Sequence, residues 1–155
     1  IAVVLLFLIL ASQFESLVQP LIILSEIAID ACFCFLFIWL SGLSINIMTM
    51  IGLIVTCGIV INDSILKIDT INRLRATGVG LEESITTASN RRFKAIVMTS
   101  LTTVLSVLPF LSRGSMGADL QFPMSIVIVI GMVIGTAVSL FIVPAMYHSL
   151  YNSRK

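Results

Sequence analysis

The sequence predicts an all-α fold: a polytopic membrane helix bundle of about five transmembrane helices, the first of them truncated, plus a short amphipathic helix on the cytoplasmic surface. Three observations carry this. Charged residues make up 11% of the chain and hydrophobic residues 58%, with a mean hydropathy of +1.13, whereas a soluble domain is typically about 25% charged. Long apolar runs recur between short polar turns. Basic residues gather in alternate connections, the pattern that orients membrane spans. The chain starts at Ile1 inside an apolar run, so residues 1–155 read as the C-terminal part of a transmembrane domain from a much longer protein.

The elements follow in order. Residues 1–13 are almost wholly apolar, but at about 1.5 Å per residue they cannot cross a hydrocarbon core of about 30 Å. The next span, 20–40, opens on Pro20, which suits a first helical position, and carries Trp39 at an interfacial one. Glu26 and Asp30 interrupt it, four residues apart and therefore on one helix face. Two carboxylates so close at that depth repel, so at least one holds a proton or meets a cationic or polar partner.

The third span, 47–75, opens as a membrane helix and closes as a basic one with Lys67, Asp69, Arg73 and Arg75. Asn62 and Asp63 sit side by side in it, among Ile59, Val60, Ile61, Ile65 and Leu66. Lys67 is expected to snorkel to the headgroups, with an ion pair to Asp63 as the alternative. The stretch ATGVG breaks this helix, and residues 81–89 are expected to lie on the membrane surface, with Leu81, Ile85 and Ala88 on one face. Arg91, Arg92 and Lys94 form a basic collar to a fourth span, 92–111, which is rich in hydroxyls and ends near Pro109. The last span, 123–148, carries Gly131 and Gly135 four apart, a small-xxx-small face for close helix packing.

Arg73, Arg75, Arg91, Arg92 and Lys94 between spans three and four, with Arg154 and Lys155 in the tail, face only Arg113 on the other side. The basic side, and with it the C-terminus, is expected to be cytoplasmic.

Composition also bounds the chemistry. Cys32, Cys34 and Cys57 lie in apolar spans without metal-ligand spacing. The seven methionines are scattered over several helices and suit packing, and His148 suits the interface. No nucleophile–base pair, phosphate loop or basic block with interleaved aromatics occurs. Neither an enzyme, a cofactor, a resident metal nor a nucleic-acid partner is expected; the surroundings are membrane lipids.

Counting residues from the basic edge at helical rise puts Asp63 and Asp30 about 15 Å deep, Thr99 about 10 Å and Glu26 about 9 Å. Three helices thus bring polar side chains into one slab, where a shared protonatable site is the simplest account. Burial favours the neutral carboxyl and a nearby cation the ionised one. Asp63 is therefore the expected proton carrier, tuned by Asn62, Thr99 and Arg92, with Glu26 and Asp30 as secondary candidates. The competing readings are a structural bond for Asp63, bonding of Thr99 to its own helical turn, and a purely orienting role for Arg92.

Four stretches in order, LASQFESLVQPLIIL, IGLIVTCGIVINDSILKID, RRFKAIVMTSLTTVLSVLPF and GMVIGTAVSLFIVPAMY, give a family resemblance. The chain resembles the C-terminal membrane segment of resistance–nodulation–division (RND) efflux transporters over nearly its whole length. The resemblance implies spans eight to twelve of a longer protomer, large periplasmic domains elsewhere, a homotrimer in the bacterial inner membrane, and export of small molecules or ions by proton antiport. It also implies a periplasmic adaptor and an outer-membrane channel as partners. Thr99 matches the family's relay threonine and Arg92 the arginine that opens the same span. The lysine that serves drug pumps in the tenth span falls on Asn62 here, a departure, and Glu26 and Asp30 depart from the commoner apolar pattern. The reading is thus a proton-driven exporter, with a structural or receptor-like membrane domain as the alternative. The cargo stays open between a drug, a lipid, a bile-type amphiphile and a metal ion.

Overall fold

Hydrocarbon offers backbone groups no water to bond, so a spanning chain must satisfy its own N–H and C=O groups, and helices do this within each segment. The computed structural model describes residues 1–112, 114 and 117–153. Arg113, Met116, Arg154 and Lys155, which entered the charge and methionine readings, lie outside the described residues. The elements are α1 (Ala2–Phe14), α2 (Val18–Ser41), α3 (Ile47–Ala76), α4 (Leu81–Val107) with a 3-10 turn at Leu108–Leu111, and α5 (Ala118–Asn152), with no strand among the described residues. The last four helices are long and apolar enough to cross a membrane, while α1, at 13 residues, is not.

Local chemistry sets the ends. The α2 helix stops at Gly42, whose φ of 67° is left-handed and whose N–H returns to the Ile38 and Trp39 carbonyls. Asn46 caps α3, its side chain accepting from the Thr49 N–H at 2.9 Å.

One expectation needs correction. The surface helix 81–89 and the span 92–111 are not separate: α4 runs unbroken from Leu81 to Val107. The change from amphipathic to apolar at residue 90 is a change of surroundings, with no Gly or Pro there to break the backbone. The amphipathic face packs inward, since Ile85 and Ala88 belong to the buried core rather than to a lipid-facing surface. Pro109 does end α4, in the 3-10 turn. The α5 helix opens at Ala118, earlier than expected, and accommodates Pro123 and Pro144 inside it.

The α3 and α5 helices run parallel in close contact. A Cβ on Gly52 would stand 2.9 Å from the Met124 carbonyl oxygen; one on Gly131 would strike Thr56, and one on Gly135 would strike Val60. These positions step along both helices by three, four or seven residues, a ladder that brings the backbones together. The α2 helix lies antiparallel beside both. Apolar packing at the basic end joins Ile22, Ile23, Ile68, Ile71, Val143 and Tyr147, and a smaller cluster at the other end joins Cys34, Ile38, Leu53 and Val127. Helix α5 is the centre of the bundle and α4 its periphery: 44% of the most apolar window of α5 is buried, against 6% for α4.

A polar clamp closes the basic end. Gln19 and Asn72 exchange amide hydrogen bonds at 2.9 and 2.7 Å. Gln19 also donates to the Tyr151 hydroxyl, and Tyr147 donates to Asn72. Tyr147 and Tyr151 stack at 4.5 Å, and the Arg75 guanidinium lies over the Tyr151 ring.

Candidate functional site

Polar side chains at membrane depth divide between two sides of α3. Thr56, Val60, Ser64 and Lys67 recur every three or four residues, so they share one face, and that face is buried against α2 and α5. Asn62 is exposed and Asp63 half-buried, off to the other side.

The inner face holds a closed cluster. Glu26, Asp30, Ser64, Lys67 and Ser139 are each 0–1% exposed. Ser64 Oγ donates to Glu26 Oε2. Lys67 Nζ donates to the Ser139 carbonyl at 2.6 Å. Glu26 lies within electrostatic range of Lys67, Asp30 and Asp63. Asp30 lies against the backbone of Gly135, its Oδ1 3.5 Å from where a Cβ would be, and its field reaches Cys34 and Cys57. Glu26 Oε1, both Asp30 oxygens and Ser139 Oγ are buried without a hydrogen-bond partner among the described residues.

Lys67 therefore does not snorkel. Its stem leaves α3 on the same face as Ser64, three residues earlier, and its ammonium ends on α5, in range of the Glu26 carboxyl, instead of at the headgroups. Nor does it pair with Asp63. The sequence reading missed Lys67 as the cation in range of Glu26; the shared spacing of residues 56, 60, 64 and 67 was the signal.

The outer side is looser. Asp63 lies within electrostatic range of the Arg92 guanidinium and makes no side-chain hydrogen bond among the described residues. Arg92 Nε donates to Thr70 Oγ1 at 3.1 Å. Thr99 is exposed, and its hydroxyl donates to the Ala95 carbonyl of its own helix at 3.0 Å. The structure thus brings Arg92 near Asp63 but joins neither to Asn62 or Thr99. Gly131 and Gly135 both lie in the α3–α5 contact, and Gly135 also borders Asp30. Among the described residues no group of three or more His, Cys, Asp or Glu is placed to hold a metal ion.

A bundle of long apolar helices enclosing ionisable side chains defines a class, the polytopic membrane protein. The particular family follows from comparison: residues 1–151 match the model of the AcrB/AcrD/AcrF family, and the chain belongs to this family of RND efflux transporters. Among solved structures, a heavy metal efflux pump in its crystal form II superposes with a TM-score of 0.85 at 25% identity, covering 97% of this chain and 15% of that one. Crystal form I of a heavy metal efflux pump gives 0.81 at 24% identity with the same coverage. The chain thus spans 15% of the length of the pumps it matches.

Proposed function

We propose that the chain is the C-terminal membrane part of a proton-driven exporter of the bacterial inner membrane, in which proton binding alters helix contacts and so drives alternating states of a larger pump. The observation that carries this is Asp63, a carboxyl at lipid depth left open on one side of α3 with the Arg92 guanidinium in range. Such a group is costly in hydrocarbon and is usually there for a proton or an ion. Asn62 and Thr99, exposed nearby, are free to meet side chains from the rest of the pump, and Asp63 with Arg92, Asn62 and Thr99 forms the relay in this reading. Family membership supports, in this reading, assembly as a homotrimer with a periplasmic adaptor and an outer-membrane channel.

The likeness to a heavy metal efflux pump brings metal ions among the cargo classes. Cargo is bound, in this reading, by parts of the pump beyond this chain. The test is Asp63→Asn in the full-length transporter reconstituted in proteoliposomes with a pH gradient. Proton-coupled export is expected to fall at least tenfold, with the protein still inserted and folded. Unchanged export would remove Asp63 from the relay. Absence of proton flux in the wild type would favour a structural or receptor-like domain.

A further inference from the structure

The enclosed cluster of α2, α3 and α5 has a charge imbalance that the Asp63 relay does not use. Two carboxyls, Glu26 and Asp30, share one face of α2 a single turn apart. One cation among the described residues, Lys67 on α3, lies in range of Glu26. Helix α5 adds only the Gly135 backbone and Ser139 at this level, and its sequence carries no charged residue from Leu120 to Met146. The remaining titratable groups in range are Cys34 on α2, and Cys57 and Asp63 on α3. Fully ionised, the trio Glu26, Asp30 and Lys67 would hold one uncompensated negative charge. An isolated charge in such a place costs far more than neutralising it.

The two carboxyls are not equivalent. Glu26 has the Ser64 hydroxyl on one oxygen and Lys67 in range. Asp30 has neither; both its oxygens are buried and unbonded, one of them against α5. These contacts favour the ionised form at Glu26 and the neutral form at Asp30.

We propose that Glu26, Asp30 and Lys67 form a one-proton binding site enclosed among α2, α3 and α5, with Asp30 as the seat of the proton. The site is distinct from the Asp63–Arg92 pair, with Asp63 in electrostatic range of Glu26. Binding transfers a proton from water to an Asp30 carboxylate oxygen, and release returns it to water, with no other bond made or broken. Because Asp30 lies against Gly135, an ionised Asp30 demands water or a cation between α2 and α5; the bound proton keeps the two helices in contact.

The occupancy of this site does not depend on the transport reading, and the experiment keeps them apart. Full-length transporter in proteoliposomes is followed by infrared difference spectroscopy of protonated carboxyl C=O stretches, assigned with carbon-13 aspartate and glutamate. The wild type is expected to show a buried aspartic acid band that belongs to Asp30. Asp30→Asn, an isostere of the neutral acid, removes that band and keeps the fold. Lys67→Met adds a glutamic acid band, because Glu26 then lacks its counter-charge; Lys67→Gln serves where Lys67→Met does not fold. Asp63→Asn leaves the Asp30 band in place whatever it does to export. A buried aspartic acid spectrum that Asp30→Asn leaves unchanged overturns the proposal. So does a wild type already showing both bands and unmoved by the Lys67 variants, which would mean a neutral lysine. A band seen only after sodium is removed overturns it as well, making the site one for a metal cation instead.

Discussion

Ser64 shows how much a single hydroxyl matters at this depth. Its Oγ is the side-chain donor to Glu26, whose other oxygen is already unbonded. Removing one partner of a buried charged acceptor leaves a desolvated group, at a cost of about 1–3 kcal/mol. Ser64→Ala is therefore expected to destabilise the protein by about that much, read as a lower midpoint of thermal unfolding in detergent. A midpoint equal to that of the wild type would mean that Glu26 is satisfied by other means. Lys67 was the residue least legible beforehand. A lysine near the basic end of a span normally extends toward headgroups; that it turns inward is decided by the Ser139 carbonyl and the Glu26 carboxyl, both on other helices. Residue type and depth were readable, but the direction of the side chain depends on neighbours distant in sequence.

At the scale of elements, the contact of α3 with α5 rests on small residues meeting side chains. Gly131 receives Thr56, and a Cβ there would collide with the threonine methyl. Overpacking of this kind costs about 1–3 kcal/mol. Gly131→Ala is expected to lose that much stability, and Thr56→Ala in the same protein to recover most of it, since residues in direct contact do not act additively. A double variant no more stable than Gly131→Ala alone would show that the strain lies elsewhere. The Gly131–Gly135 spacing announced a packing face in the sequence, and the structure supplies its partners. Gly52 belongs to the same ladder yet stood apart in the sequence, without a second glycine four away to mark it. The division of α4 was misread for a related reason: a hydropathy change marks where surroundings change, whereas only backbone chemistry marks where a helix stops.

For the molecule as a whole, direction in the membrane decides which side each device serves. The α3–α4 connection and the start of α2 share one end with Arg73, Arg75, Arg91, Arg92 and Lys94, and the α2–α3 turn lies at the other. The Gln19–Asn72–Tyr147–Tyr151 clamp closes α2, α3 and α5 at the basic end. Glu26 is seven residues from Gln19, about 10 Å at helical rise, so the clamp stands between the enclosed cluster and whichever compartment the basic end faces. Retention of basic segments on the cytoplasmic side makes the cytoplasm the expected compartment, and on that orientation a proton entering the cluster from there must pass the clamp. The orientation is checked in a cysteine-free full-length transporter carrying one new cysteine at a time. Arg91→Cys is expected to react with a membrane-impermeant maleimide only after the inner membrane of spheroplasts is opened, and Ser44→Cys, in the α2–α3 turn, to react before. The reverse pattern would place the clamp on the outer side and require protons from the cytoplasm to reach Asp30 past Leu53 and Ile38, through the apolar end of the bundle.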